Sequence, residues 1–325
     1  EMDNVFFGFT GNWIMQEAVL ASGCVDVFVA DMNCSMPIDP IYAEKYHFKI
    51  VPVSDLVSLE GVYERIDYVP EKAREQAAQL LQIAIDNFSE RRKTVSPVTG
   101  LPITESVVGF SSESITEALG GSLAPLLDAI KSGTIRGVAG LVSCTTLRDS
   151  GQDCHSLDIA KELIARDVLV LSMGCGNAAM QVGGLCSPDA MELAGPGLKG
   201  LCKQLSIPPV LSFGTCTDTG RLADLLGAIS SALGSVPLPD LPVVATAPEY
   251  MEQKATIDAV YALALGLHTH VNPVPTVTGA PRLVKLLTQD CKDVTGGVMN
   301  VETDAVKAVD AMMEHIESNR SKLGI

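Results

Sequence analysis

An α/β architecture with parallel sheets is what this 325-residue sequence predicts, and three features carry the prediction. Strand-like and helix-like segments alternate from about residue 107 onward. The strands are near-continuous Val, Leu and Ile runs, as expected when helices cover both faces of a sheet. Four of the runs stop on a small or polar residue, then a cysteine, then a segment of helical spacing: Val25-Asp-Val-Phe-Val-Ala-Asp-Met-Asn-Cys34, Gly137-Val-Ala-Gly-Leu-Val-Ser-Cys144, Val168-Leu-Val-Leu-Ser-Met-Gly-Cys175 and Pro209-Val-Leu-Ser-Phe-Gly-Thr-Cys216.

In chain order, residues 12–20 have helical spacing and Gly23 stops them before the strand 25–31. Pro37 and Pro40 preclude a long helix after Cys34. A second strand, 48–53, leads to a helix from Pro70 to about Lys93, with proline well placed in its first turn. The closing Glu90-Arg-Arg-Lys93 puts cations where the helix dipole favours them, and reads as a solvated helix end. The stretch 94–104, rich in Pro, Gly and Thr, is linker chemistry. It divides the sequence into a partial Rossmann-like domain over 1–96 and a second Rossmann-like domain over 97–325.

In the second domain the expected elements are strand 107–110, helix 114–131, a strand to Ser143, helix 157–165, a strand to Met173, helix 197–205 and a strand to Phe213. Helix 219–233, strand 243–246, helix 250–265, a small strand 297–301 and an amphipathic helix from Thr303 to about Arg320 complete it. Ligands of doubly wound sheets bind outside the carboxyl ends of the strands. Cys144, Cys175 and Cys216 fall at that edge and Cys34 at the matching edge of the first domain, so a metal-cluster site between strand ends of the two domains is expected to collect all four.

With 39 acidic against 23 basic residues the formal net charge is -16, which repels phosphate backbones and anionic lipid and argues against a nucleic-acid partner. No apolar run has the ~18 residues that a membrane span requires, and residues 1–9 lack a basic export signal, so a cytoplasmic chain is expected. Nine cysteines, an odd number, with no Cys-x-x-Cys pair, favour reduced thiols gathered from distant segments over disulfides or a local zinc ribbon. Distributed thiolates suit an iron–sulfur or mixed-metal cluster. Cys24, Cys154, Cys186, Cys202 and Cys291 lack the strand-end context and read as ordinary small side chains.

The run Gly174-Cys-Gly-Asn-Ala-Ala179 also matches a dinucleotide fingerprint after a strand. Its middle position is a cysteine, and no strand ending in an acid follows at about 20 residues, so the glycines read equally well as room for backbone N–H groups to approach an anionic cluster. Lys254 opens a helix just after a strand and points to the same edge, where it could stabilise an oxyanion. His268 and His270 are expected on opposite sides of an extended segment, unable to share a metal. Asp218 and Arg221 are as compatible with a cap and a surface pair as with support of the site. No Ser/His/Asp arrangement suggests hydrolysis.

Taken together, Val25-Asp-x-x-Val-x-Asp-x-x-Cys34, Gly174-Cys-Gly-x-x-Ala-x-Met180, Gly195-x-Gly-Leu-Lys199, Cys216-x-Asp-x-x-Arg221, Leu241-Pro-Val-Val-Ala-x-Ala-Pro-Glu249, Glu252-x-Lys254-Ala and Lys292-Asp-Val-Thr-Gly-Gly297 resemble the catalytic subunit of nickel-iron carbon monoxide dehydrogenases, from about Gly11 to the closing helix. The resemblance implies an oxidoreductase that interconverts CO and water with CO2, two electrons and two protons at a nickel-iron-sulfur cluster, working anaerobically and passing electrons through [4Fe-4S] clusters to ferredoxin. It implies Cys34, Cys144, Cys175 and Cys216 as cluster ligands and Lys254 as the group that stabilises bound CO2 or hydroxide. A homodimer in the full-length form also follows from the resemblance, which is equally compatible with a stand-alone enzyme and with one that feeds an acetyl-CoA synthase partner.

Two departures are expected to matter. The family's N-terminal helical domain, with the electron-transfer cysteines, and the upstream histidine and cysteine that complete the active-site cluster have no counterpart in this sequence. One turn after Lys254, where the family has an apolar residue facing the site, this chain has Asp258, expected to alter gas access or the charge near nickel. Hybrid-cluster proteins that reduce hydroxylamine, and a metal-free module, are the alternatives; the Glu-x-Lys-Ala and Lys-Asp-Val-Thr-Gly-Gly motifs favour the dehydrogenase.

Overall fold

The protein was studied as a computed structural model, which describes residues 11–62, 64–100, 104–148 and 151–325. The chain forms two compact units, divided near residue 103.

In the first unit, strands β1 (Val27–Ala30) and β2 (Lys49–Pro52) pair in parallel, Val27 opposite Lys49. Helices α1 (Gln16–Ala21), α2 (Pro40–Tyr46) and α3 (Ala73–Thr94) accompany them. The Asp39 carboxylate caps α2 by accepting from the Ile41 amide, and proline occupies the first turn. Leu20, Ile38 and Phe48 form a small core. The basic end of α3 is not simply solvated as the sequence suggests. Arg91 is buried and pairs with Asp26 at 2.7 Å, while the Asn87 amide donates to the Asp26 and His47 carbonyls, so the last turns of α3 bind the strand ends.

The second unit is built on six parallel strands in the order β5-β4-β3-β6-β7-β8. They are β3 (Gly137–Ser143), β4 (Val168–Met173), β5 (Val210–Ser212), β6 (Val243–Ala247), β7 (His268–Val271) and β8 (Val298–Val301). The chain builds outward from β3 through β4 to β5, then crosses to β6 and builds outward the other way. The sheet therefore has a topological switch point between β3 and β6, where the connecting loops diverge and leave a crevice. All six residues of β4 are buried, which explains a sequence that is apolar but for Ser172.

Helices α4 (Ser112–Ala118), α5 (Ala124–Lys131), α6 (Cys154–Ala165), α7 (Gly174–Val182), α8 (Pro196–Leu205), α9 (Gly220–Ala232) and α10 (Gln253–Ala264) alternate with the strands. The short α11 (Pro281–Lys285) and α12 (Cys291–Val294) flank a π-helical turn, and α13 (Ala305–Leu323) closes the chain. A large core joins Leu141, Val170 and Val244 of the sheet to Ile159, Leu163, Met312 and Ile316 of the helices.

Three expectations change. The run 114–131 is two helices, because Gly120 and Gly121 adopt φ of +79° and +89° and end α4. Residues 107–110 form no strand: single bonds from the Val107 amide to the Cys186 carbonyl and from the Phe110 amide to the Ser212 carbonyl hold them without a ladder. His268 and His270 lie on one face of β7, as positions two apart in a strand must. His268 packs against His315 at 5.3 Å and His270 against His155 at 6.3 Å, on the side covered by α6 and α13.

Candidate metal-cluster edge

The loops that leave β3, β4 and β5 are tied together by the backbone. Ser143, the last residue of β3, bridges to Gly174, and the Gly174 amide donates to the Gly214 carbonyl at 2.8 Å. Glycine is required here. Gly174 has φ of +69°, and a Cβ on it would fall 2.8 Å from Cys216 Cβ and 3.0 Å from the Ser143 carbonyl. A Cβ on Gly176 would strike Leu141 Cδ2 at 2.5 Å. The Gly-Cys-Gly spacing thus lets the start of α7 cross β3 closely and seats Cys216 against the turn that carries Cys175.

Cys144 follows β3 directly and is 9% exposed. Burial pushes its thiol up to about 11, the charges of Glu252 and Cys216 add to that, and the amides of Glu252 and Met251 oppose it by donating to the sulfur. Cys175 and Cys216 are half-buried, in the first turn of α7 and in the turn after β5. Cys34 belongs to the first unit, four residues beyond β1, and has φ of +58°, unusual for a residue with a side chain. The Gln16 side chain fixes its turn, donating to the Cys34 carbonyl at 2.8 Å and accepting from the Met36 amide at 3.1 Å.

Lys254, in the first turn of α10, lies 3.3 Å from the Glu252 carboxylate, both about a quarter exposed. One turn on, Asp258 accepts a hydrogen bond from the Thr219 hydroxyl at 3.2 Å, linking α10 to the loop that carries Cys216. Burial holds the Asp258 carboxyl above its ordinary range, the Thr219 bond opposes this, Glu252 adds to it, and Lys254 opposes it. Asp258 borders an apolar cleft of about 660 Å³, open mouth included, between α9, α10 and the sheet, lined by Val142, Leu222, Ala245 and Ala262. Asp218 and Arg221 pair with each other on the surface.

Behind the edge is a buried network that reading for cysteines passed over. Glu249 is 0% exposed and takes the place of an N-cap for α6, accepting from the amides of Asp153 at 3.1 Å and Ser156 at 3.4 Å, and from the Ser156 hydroxyl. Asp153 makes no such cap itself; its carboxylate accepts from the Thr145 hydroxyl at 2.7 Å. Burial pushes the Glu249 carboxyl up to about 7, against the Ser156 hydroxyl bond, with the Asp153 charge reinforcing the rise. Asn177, also buried, bonds Ser172 at 3.1 Å and the Gly214 carbonyl. Ser143, Ser172 and Ser212, each at or next to the last place of an apolar strand, mark this network in the sequence.

The remaining thiols differ among themselves. Cys186 and Cys202 are 0% exposed within the apolar core, and burial pushes both up to about 12. Cys154 and Cys291 start helices, half-buried, and Cys24 is exposed. Among the described residues no three His, Cys, Asp or Glu side chains converge to hold a single metal ion. A polynuclear cluster makes a different demand, since its separate irons each take one thiolate. Cys144, Cys175 and Cys216, on adjoining loops of one sheet edge beside donated amides, fit that demand by donor chemistry.

A doubly wound parallel sheet with cysteines at successive strand ends defines the class. The chain matches the Prismane/CO dehydrogenase family over residues 1–306, and it belongs to that family. It is 70% identical over its whole length to carbon monoxide dehydrogenase 2 of Methanosarcina mazei, covering 51% of that protein. It is 59% identical to carbon monoxide dehydrogenase of Archaeoglobus fulgidus, over 99% of this chain and 51% of the relative. The chain spans about half the length of the curated relatives it matches. Among solved structures, the as-isolated, nickel-free carbon monoxide dehydrogenase of Thermococcus sp. AM4, produced without the CooC maturase, superposes with a TM-score of 0.89 at 40% identity, covering 97% of this chain and 49% of that one. An acetyl-CoA synthase/carbon monoxide dehydrogenase, described with NiZn[Fe4S4] and NiNi[Fe4S4] clusters in its alpha subunits, superposes equally well at 34% identity, over 97% of this chain and 49% of that one.

Proposed function

We propose that this chain provides much of the active site of an anaerobic carbon monoxide dehydrogenase, interconverting CO and water with CO2, two electrons and two protons. The observation that carries the reading is the backbone-linked row of cysteine-bearing loops at the switch-point side of the sheet, in a chain 70% identical to a carbon monoxide dehydrogenase. Cys34, Cys144, Cys175 and Cys216 are the cluster ligands in this proposal. When bound, a nickel-iron-sulfur group supplies the Lewis acidity and electron capacity that the protein's side chains lack.

The chain's own residues supply the rest. The Met251 and Glu252 amides donate to Cys144 Sγ and favour its thiolate in a buried setting. The Lys254 ammonium, at the electropositive start of α10, would donate to the oxygens of CO2 or hydroxide and could exchange a proton with Glu252, 3.3 Å away. Asp258, bonded to Thr219, sets a titratable group at the border of the apolar cleft. Ferredoxin as electron acceptor, a homodimer and coupling to acetyl-CoA synthase belong to the same proposal, as does residence in the cytoplasm. Among the described residues no helix is long and apolar enough to cross a membrane.

The test is anaerobic purification with iron, sulfide and nickel, followed by metal analysis and CO-dependent reduction of a viologen dye. Nickel and iron with turnover support the proposal. Iron without nickel points to hybrid-cluster chemistry instead, and a colourless, folded protein contradicts both.

A further inference from the structure

We infer that Glu249 is a positioning residue for Cys144, holding the turn that carries this thiol between the end of β6 and the start of α6. The inference rests on the proposal that Cys144 is a cluster ligand.

Glu249 reaches both sides of Cys144. Its backbone amide donates to Ser143 Oγ at 3.0 Å, one residue before the thiol. Its carboxylate accepts from the Thr146 amide, two residues after it. The same carboxylate is anchored by the Asp153 and Ser156 amides and the Ser156 hydroxyl, so it is fixed to the start of α6. The residues that follow, Met251 and Glu252, present the two amides that donate to Cys144 Sγ. One buried residue, through its amide to Ser143 and its carboxylate to Thr146 and the start of α6, therefore brackets the thiol just ahead of the segment that carries its two donors.

The alternative, that Glu249 merely completes the core, fits the geometry less well. A carboxylate with no exposed surface is costly to bury, and an apolar side chain would fill the volume. It would remove the acceptor that the Thr146 amide of the thiol turn shares with the Asp153 and Ser156 amides at the start of α6.

Site-resolved alkylation separates the two. The purified protein is treated with iodoacetamide at fixed neutral pH and read by mass spectrometry, as wild type, Glu249→Gln and Ser156→Ala. Loosening the turn exposes the sulfur, so Cys144 in Glu249→Gln is expected to react roughly tenfold faster, the equivalent of one lost hydrogen bond, with a smaller rise in Ser156→Ala. Cys202, in the core, serves as reference and is expected to keep its rate. A wild-type rate at Cys144 in both variants, or acceleration of Cys144 and Cys202 together, overturns the inference. Should Glu249→Gln fail to fold, Ser156→Ala decides on the same two rates.

Iron content after anaerobic loading, with Cys144→Ala alongside, distinguishes this inference from the reading beneath it. Iron lost in both Cys144→Ala and Glu249→Gln supports the positioning role. Iron lost in Cys144→Ala but at the wild-type level in Glu249→Gln overturns it. Wild-type iron in Cys144→Ala overturns the ligand reading itself.

Discussion

Cys144 and Cys202 are both buried, and burial pushes both thiols well above their ordinary range. Their surroundings then diverge. Cys202 sits in an apolar core where nothing offsets its desolvation. Cys144 has two backbone amides aimed at its sulfur and a buried carboxylate bracing its turn. Burial thus says little about what a cysteine does. Donors and braces in an otherwise apolar interior partly offset the cost of charge on the Cys144 sulfur, and Cys202 has neither.

The sharpest way to break this contrast is at the glycine that brings the thiol loops together. Gly174→Ala puts a side chain at φ of +69° and within 2.8 Å of Cys216 Cβ. It is expected to lower stability by about 2–4 kcal/mol and to reduce iron binding, as measured by denaturant melts and metal analysis. Full stability with full iron binding would show that close approach at Gly174 is not needed.

Next in size are two buried groups whose pH dependences have opposite sign. The Glu249 carboxyl rises from 4.5 to about 7 on folding, so the folded state holds its proton longer. Its contribution is fully present below 4.5 and is lost as the pH rises through 7. His270 falls from 6.5 to about 4, because burial disfavours its cation. Its neutral ring accepts from the Thr246 hydroxyl at 2.8 Å and donates from Nε2 to the Glu302 carbonyl at 2.9 Å. That contribution is fully present above 6.5 and is lost as the pH falls toward 4. Each is on the order of 3 kcal/mol. In melts from pH 4 to 8, Glu249→Gln should flatten the decline between 4.5 and 7, and His270→Gln the rise between 4 and 6.5. Unchanged profiles would contradict these assignments.

The core member of the comparison predicts a smaller effect. Cys202→Ala leaves a small void in the core and is expected to cost about 1 kcal/mol, seen as a shifted melting midpoint. Smallest is Arg221→Ala at the exposed pair with Asp218, expected to change stability by less than about 0.5 kcal/mol. A loss of iron in Arg221→Ala would mean that this pair supports the site after all.

How far these contrasts were legible in the sequence follows from how local they are. The alternation of elements and the cysteines at strand ends are local patterns, and the parallel sheet with thiol-bearing loops after β3, β4 and β5 agrees with them. The break at Gly120 and Gly121 was hidden because helical spacing continues across it. Residues 107–110 have strand composition, but a strand needs a ladder, and that depends on what lies alongside. In the sequence Glu249 stands out only as part of a motif, because its partners Asp153 and Ser156 lie nearly a hundred residues away. Its signal is a carboxylate two residues after the apolar strand β6, opposite a serine that ends β3.

The most direct measurement of the central claim compares iron retention in Cys175→Ala and Cys202→Ala after identical anaerobic loading of the purified protein. The account predicts that Cys175→Ala abolishes cluster retention while Cys202→Ala keeps the wild-type content. Equal loss in both, or in neither, would contradict the assignment of the strand-end thiols as the cluster ligands.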